Sequence, residues 1–294
     1  MTAAQTAHAA PSPSPWRAAW RRLTSSRVTV AAMAFFIVLV LACSLAHKLS
    51  PYDPNEQDLE LKASGMSAAH WMGTDPLGRD IATRILHGGR VSLLVGALAT
   101  GVAAFIGVTY GLLAGLAGSR TDAAMMRIVD ILYAFPFMTF VIILTVVFGR
   151  QFWLLFIAIG AVEWLTMARV VRGQVLSLKN QEFVTAARAY GARGWHILFR
   201  HMLPNVVGPV IVYASLTVPG VMLLEATLSF LGLGIQPPDA SWGVLIRDGA
   251  DNMETSPWML FFPGLFFSGT LLALNWIGDG LRDALDPKSF QGSE

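Results

Sequence analysis

Two carboxylates lie inside long apolar runs of the sequence, Glu163 within residues 152–171 and Glu225 within residues 206–230. A charged side chain at the centre of a bilayer costs several kcal/mol, about 2.5–3.5 for Asp on insertion scales. Such a group either faces a polar path through the membrane or pairs with polar groups on neighbouring helices. Glu163 and Glu225 are therefore candidate residues of a translocation path, with pairing inside the protein as the equal alternative.

No pattern in the chain predicts catalysis. The nucleotide-binding loop G-x-x-x-x-G-K-[ST] is absent, and lysine occurs only at positions 48, 62, 179 and 288, outside any such context. The hydrolase patterns H-E-x-x-H and G-x-S-x-G are absent as well. We expect a protein that is not an enzyme, that holds no metal or cofactor itself, and that takes energy for any transport from elsewhere.

The segment "QEFVTAARAYGARGWHILFRHMLPN", residues 181–205, is charged and rich in alanine, although it lies between two apolar runs. The spacing predicts an amphipathic helix from Arg172 to Tyr190, a bend at Gly191, and a second short helix that Pro204 ends. The apolar side of this second helix is expected to carry Trp195, Ile197, Leu198 and Met202.

Small side chains on the first of these helices allow a partner to approach the backbone closely. These are Ala186, Ala187 and Ala189, with Arg188, Arg193 and Arg200 at the rim. Two short helices with a fixed bend and a small-residue face predict a docking element at the cytosolic surface.

A membrane bundle must position these residues. Of the 294 residues, 54% are hydrophobic and 14% charged, and the mean hydropathy is +0.54. A bilayer core takes about 20 apolar residues per helix, and six runs qualify. They are residues 28–46, 91–117, 128–148, 152–171, 206–230 and 258–278. These runs lack the alternation of barrel strands, so the predicted fold is an all-α membrane protein with six transmembrane helices.

Features inside the runs predict how the helices pack and bend. Gly107, Gly111 and Gly115 form one small-residue stripe, which serves either packing within the bundle or contact with a pore or another chain. Pro136 in the third run and "TVPGV" at 217–221 in the fifth predict two interrupted spans.

Basic residues predict the orientation. About fourteen of the 21 Lys and Arg residues fall on one side if the six spans alternate, which places both termini in the cytoplasm. Segment 47–90 is an unexplained exception, because Lys48, Lys62, Arg79, Arg84 and Arg90 would lie outside.

The predicted layout has five parts. Residues 1–27 form a cytoplasmic tail in which "WRAAWRRL", residues 16–23, is a basic helix at the inner lipid surface or an aromatic anchor of the first span. The remaining parts are the first transmembrane helix (28–49), an extracytoplasmic segment (50–90), a core with five transmembrane helices and the loop 172–205 (91–280), and a cytoplasmic tail (281–294).

The loop carries a family resemblance. The pair Ala186-Ala187, a glycine four residues later and Leu-Pro twelve residues beyond it resemble the "EAA" loop of binding-protein-dependent ABC importer permeases. Two positions depart from that pattern: Thr185 stands where the family usually has Glu, with Glu182 one turn earlier, and His201 stands where Ile is common.

Other segments resemble the C-type permease subunit of the oligopeptide and dipeptide branch. They are "MGTDPLGRDIATRILHGGRVSL" (72–93), "RIVDILYAFPFM" (127–138), "EWLTMARVVRGQVLSLKNQEFV" (163–184), "LSFLGLGIQPPDASWGVLI" (228–246) and "NWIGDGLRDALDPK" (275–288). The resemblance covers residues 17–290. Importers of nickel, glutathione and some oligosaccharides share this branch, so they remain alternative substrates.

The resemblance implies a type I ABC importer permease fold in the cytoplasmic (inner) membrane, with the loop as the coupling helix of an ATPase. The residues implied in ATPase coupling are Glu182, Thr185, Ala186, Ala187, Arg188, Gly191 and Pro204. It further implies a homologous sister permease, two ATPase subunits or domains that bind ATP and Mg, an extracytoplasmic solute-binding protein and a peptide substrate, in a lipid bilayer and without nucleic acid.

Segments 50–90 and 232–257 would then form the outer surface. Asp239, Trp242 and Asp248 are candidate contacts for the binding protein, and a packed cap over the pore is the alternative. Two other classes remain in view. A self-sufficient secondary transporter should show inverted repeats and dense intramembrane charge, neither of which is clear here, and a membrane-bound enzyme should show a catalytic constellation.

Overall fold

The structure is a computed structural model that describes residues 15–149 and 152–285. This part of the chain is helical and contains no strand beyond an isolated bridge between Thr74 and Asp80. The all-α prediction is confirmed. The expectations for residues 1–14 and 286–294 lie outside the described residues.

The helices follow in chain order. They are α1 (Pro15–Leu23), α2 (Arg27–Ser44), α3 (Ala46–Leu49), α4 (Ile81–Leu116), α5 (Ser119–Tyr133), α6 (Phe137–Phe148), α7 (Phe152–Leu178), α8 (Glu182–Ala189), α9 (Gly194–Ile197), α10 (Leu203–Phe230), α11 (Trp242–Asp251) and α12 (Trp258–Leu285). A π-helical turn, Leu198–Met202, joins α9 to α10.

Within the described residues, four helical stretches are long and apolar enough to cross a membrane: α2, α4, α12 and the continuous stretch 194–230. The pair α5 and α6, bent by 77°, would form a fifth. The remaining predicted span lies in α7, whose 27 residues extend about 40 Å at a rise of about 1.5 Å per residue.

Helix α4 is the centre of the bundle and packs against α2, α7, α10 and α11. Its glycine stripe faces α7 of the same chain. A Cβ at Gly111 would lie 2.6 Å from the backbone oxygen of Ala168, and a Cβ at Gly115 would lie 2.6 Å from Val175 Cγ1. Of the two interpretations of the stripe, the structure therefore supports close packing inside the bundle.

The two proline-containing runs behave differently. α5 ends at Tyr133 and α6 begins at Phe137 with Pro136 at its N-cap, as the sequence predicts for an interrupted span. In the fifth run, by contrast, α10 continues through Pro219, so the interruption predicted at 217–221 is wrong. Pro219 is buried, and packing against neighbouring helices can hold a helix together despite a missing backbone donor.

Helix α1 is the basic helix predicted near the N-terminus. Its side chains Ala19 and Leu23 are buried against Ala284 of α12, with Met33 and Leu281 beside them. Trp20, in contrast, is 63% exposed. The helix therefore packs Ala19 and Leu23 on the end of α12 and exposes Trp20.

Candidate functional site

The docking element, predicted within the loop 172–205, occupies residues 179–202 in the structure, between α7 and α10. The structure does not continue α7 into it: α7 ends at Leu178 and α8 begins at Glu182, so the single helix predicted from Arg172 to Tyr190 is wrong. Gln181 adopts an extended conformation at the N-cap of α8. Its carbonyl accepts hydrogen bonds from the backbone N–H of Thr185, at 3.1 Å, and from the Thr185 hydroxyl, at 3.3 Å.

The bend at Gly191 is confirmed. Gly191 has φ +79°, a conformation that a Cβ disfavours. Its N–H donates to the carbonyl of Arg188 (2.9 Å), and the N–H of Ala192 donates to the carbonyl of Ala187 (3.0 Å). These two bonds form a Schellman motif, which satisfies the last carbonyls of α8 and fixes the direction of the chain.

Apolar side chains anchor the inner side of the docking element. Val184, Ile197 and Leu198 are buried. They form one cluster with residues of α4, α7 and α10: Leu112, Met167, Val171, Val175 and Val206. Because the element is held on both sides of the bend, it should move together with the membrane helices beneath it.

The outer side of the docking element is small in the middle and aromatic at the edges. Ala186 is exposed, and Tyr190 and Trp195 are 93% and 67% exposed. Trp195 stacks on Phe199 with ring centroids 5.6 Å apart. The predicted burial of Trp195 beside Ile197 is therefore wrong. Residues two positions apart in a helix are rotated by about 200° about its axis, so these two side chains point to opposite faces.

The exposed side of the docking element also carries charged and polar side chains. Arg188, Arg193 and Arg200 are exposed, as are Glu182 and Thr185. A groove of about 430 Å³ lies beside Arg188 and Trp195. Its remaining wall is apolar: Leu113, Leu116, Ala192, Gly194, Ile197 and Leu198. The surface can therefore accept an apolar group together with an acidic one.

Pro204 does not end the second helix, contrary to the sequence prediction. It lies in the first turn of α10, where a missing N–H is tolerated. The helix passes from α9 into α10 through the π-helical turn, in which Leu203 N–H donates to the carbonyl of Leu198, five residues earlier.

Glu225, one of the two membrane carboxylates, lies in a buried cluster of hydroxyl groups. Its side chain is 0% exposed. Ser229 Oγ donates to its Oε1 (2.7 Å) and Ser92 Oγ to its Oε2 (3.2 Å). Ser92 Oγ also accepts the backbone N–H of Trp242 (3.2 Å). The carboxylate therefore connects α4, α10 and the start of α11, as the pairing alternative expects. Glu163 is partly exposed on α7 and is not part of this cluster.

The three candidate contacts of the outer segment differ in exposure. Asp239 is exposed. Trp242 is 0% exposed, and its Nε1–H donates to the carbonyl of Ile85 at 2.9 Å, so the expectation of a surface contact is corrected for this residue. Its ring packs edge-on against Phe267, which makes it part of the main core.

Asp248 lies half-buried beside Arg84, with Oδ2 3.9 Å from Nη2. Burial raises the pKa of the Asp248 carboxyl above its ordinary value, and the positive charges of Arg84 and Arg79 act in the opposite direction. Asp248 thus belongs to a charged cluster at the edge of the bundle.

This charged cluster gives a structural role to some of the basic residues in segment 47–90, which the orientation rule left unexplained. Arg79 Nε and Arg84 Nη1 both pair with Asp75 Oδ2, at 2.6 and 3.2 Å. His70 Nδ1 lies 2.9 Å from Asp80 Oδ1, and Asp80 also caps α4 by accepting the N–H of Thr83. These side-chain contacts hold the 50–80 segment onto the start of α4.

These features together define a class: a helical membrane subunit with a surface-exposed docking element between two long helices. Residues 107–291 match the family described as binding-protein-dependent transport system inner membrane component. Residues 14–65 match the N-terminal transmembrane domain of oligopeptide transport permease C. The chain belongs to the family of binding-protein-dependent transport system inner membrane components, and the resemblance noted in the sequence is confirmed.

Curated relatives cover nearly the whole chain. It is 48% identical over 275 residues to the oligopeptide transport system permease protein OppC of Haemophilus influenzae, covering 93% of this chain and 88% of the relative. It is 50% identical to OppC of Escherichia coli, covering 93% and 91%. It is 44% identical to the dipeptide transport system permease protein DppC of Bacillus subtilis, covering 95% and 87%. The chain is a membrane permease subunit and not an enzyme.

Proposed function

We propose that this chain is the permease subunit of an ATP-driven importer that carries oligopeptides or dipeptides across the cytoplasmic membrane. The proposal rests on the docking element. Its inner side is buried against α4 and α7, whereas its outer side, which carries small side chains and aromatic rings, is exposed. The names of the relatives support the peptide substrate.

The partners in this proposal are a homologous sister permease, two ATPase subunits or domains that bind ATP and Mg, and an extracytoplasmic binding protein. The residues proposed to contact the ATPase are Glu182, Thr185, Ala186, Ala187, Arg188 and Gly191, with Pro204 at the start of α10. Both chain termini lie in the cytoplasm in this arrangement. Asp239 remains a proposed contact of the binding protein.

The proposed mechanism follows from how the docking element is attached. Closure of the ATPases around ATP would move the element, and the buried Val184, Ile197 and Leu198 would carry α4, α7 and α10 with it. The bundle would alternate between outward and inward openings, and hydrolysis would reset it. Glu163, on α7, is the residue that we propose to face the translocation path.

An Ala186→Trp variant tests the docking proposal. Because Ala186 is exposed, the indole should not disturb the fold, but it should prevent close approach of an ATPase. We expect normal membrane levels, loss of copurifying ATPase, and loss of peptide uptake. The control is Ala123→Trp, at an exposed alanine on α5, which should keep the membrane level, the copurifying ATPase and the peptide uptake of the unchanged chain. Normal ATPase binding and uptake by Ala186→Trp would contradict the proposal.

Glutathione is a second candidate substrate, because the chain is 42% identical to the glutathione transport system permease protein GsiD of Pectobacterium atrosepticum. Uptake by the purified complex in proteoliposomes separates the two. A labelled tripeptide or pentapeptide should accumulate with ATP, whereas accumulation of glutathione alone would reassign the substrate and leave the docking proposal intact.

A further inference from the structure

A cavity of about 620 Å³ lies between α2, α4, α10 and α12, and it shares no lining residue with the groove at the docking element. Apolar side chains from all four helices form most of its wall: Phe36, Val40, Leu93, Val218, Leu274 and Ile277. Walls of this chemistry favour a hydrocarbon group over a polar solute, because burial of apolar surface drives binding.

The cavity reaches the surface of the bundle along α4. Leu94, which lines it, is 46% exposed, and Leu98 in the next turn is 53% exposed. Ala97, also in the lining, is exposed. Lipid tails and other membrane helices are the two partners available to an apolar surface on a membrane-spanning helix, and within this chain no other helix covers the opening among the described residues.

One end of the cavity carries a cation. Arg90 lines it and is exposed, as is Ser44 at the end of α2. Arg79 and Arg84 each pair with Asp75, but none of the ion pairs in the part of the chain that the structure describes includes Arg90. Its guanidinium group is therefore available to an external anion, for which phosphate is a favoured partner.

The order of groups along the cavity matches the order in a phospholipid. Arg90 and Ser44 lie near one end of the bundle, where α2 ends and α4 begins. Ala97 lies about 10 Å further along α4, at about 1.5 Å per residue, and Phe36 lies two turns deeper on α2. A charged end thus leads into an apolar interior.

We propose that this cavity binds one acyl chain of an anionic phospholipid, whose phosphate pairs with Arg90. A bound lipid here would fill the space between α2 and the core helices and would compensate a positive charge in the basic segment 47–90. The site uses no residue of the docking element and does not depend on which solute is carried.

Lipid retention by the purified complex tests the proposal. The complex is equilibrated in nanodiscs of phosphatidylglycerol and phosphatidylethanolamine, extracted with mild detergent, and analysed by native mass spectrometry. Wild type should retain one phosphatidylglycerol per copy of this chain. Arg90→Gln, which removes the charge, should lower retention about tenfold, as expected for loss of one hydrogen bond to a charged group. Ala97→Phe, which places a ring at the cavity opening, should also lower retention, because the ring takes space that the acyl chain needs.

Lys48→Gln is the matched control. Lys48 is exposed near the same end of α2 and does not line the cavity, so its loss should leave retention unchanged. Equal retention by wild type and Arg90→Gln would overturn the proposal. So would a photo-crosslinker at Ala97 that captures the sister permease chain, because a protein helix would then occupy the opening.

Discussion

Replacement of Glu225 would show whether the buried carboxylate is needed as a hydrogen-bond acceptor or as a charge. The group accepts from Ser229 and Ser92 and is fully buried. A Glu225→Gln variant keeps the shape and one acceptor oxygen, and its amide can donate to the other hydroxyl. We expect a loss of stability of at most about 1.5 kcal/mol, the value of one ordinary hydrogen bond.

Glu225→Ala removes both acceptors and leaves a void. Each buried hydroxyl whose hydrogen loses its acceptor costs about 1–3 kcal/mol, so the two together cost about 2–6 kcal/mol before the lost packing is counted. Ser229→Ala removes one of the two bonds and should fall between these variants. The expected order of stability is wild type, Glu225→Gln, Ser229→Ala, Glu225→Ala.

The assay combines two measurements on each variant. Thermal unfolding of the complex in detergent gives the order of stability, and peptide uptake per assembled complex gives function. Glu225→Gln should assemble, and each assembled complex should transport within about twofold of wild type, a difference of about 0.4 kcal/mol, because a group that only joins helices takes no part in transport. If Glu225→Gln assembles normally but does not transport, the carboxylate is required as a charge, and its assignment to a structural cluster is refuted.

Three further predictions concern packing and ion pairing. Gly111→Ala should lower the melting temperature, because overpacking costs about 1–3 kcal/mol, whereas Gly101→Ala on the same helix meets nothing within 4 Å and should not; equal effects would contradict the packing interface. Trp242→Ala should cost about 3–5 kcal/mol and reduce the membrane level, and an unchanged level would mean that the ring is not in the core. Asp122 and Arg172 form two side-chain bonds of 2.5 and 2.6 Å, so a double-mutant cycle in thermal unfolding should give a coupling of about 0.5–3 kcal/mol, and additive effects would show that the pair is not formed.

Features that depend on local geometry were predictable from the sequence. The apolar runs follow from the length needed to cross a bilayer. The bend at Gly191 follows from the φ value that glycine permits, and the break at Pro136 follows from its missing N–H. In each case one residue type determines the local backbone, so no knowledge of the tertiary structure is needed.

Features that depend on distant residues were not predictable. Trp242 follows a Pro-Pro pair in a short segment with charged neighbours, which is typical of a surface loop, yet α4 and α12 cover its ring. One hydrogen-bond partner of Glu225, Ser229, is four residues along the same helix, but the other, Ser92 on α4, is 133 residues away in the sequence. The buried face of the second docking helix was likewise not predictable, because it is determined by apolar residues at the ends of α4 and α7.

The continuous helical stretch from 194 to 230 has a mechanical consequence. Trp195, at its exposed end, and Glu225, in the hydroxyl cluster, are about 45 Å apart along the axis at about 1.5 Å per residue. A displacement of the Trp195 end must therefore tilt the whole helix or be absorbed where its hydrogen bonding is interrupted. These places are the π-helical turn and the two prolines inside α10, Pro209 and Pro219. A movement of the docking element at one end of this stretch is therefore coupled to the packing around Glu225 near the other end.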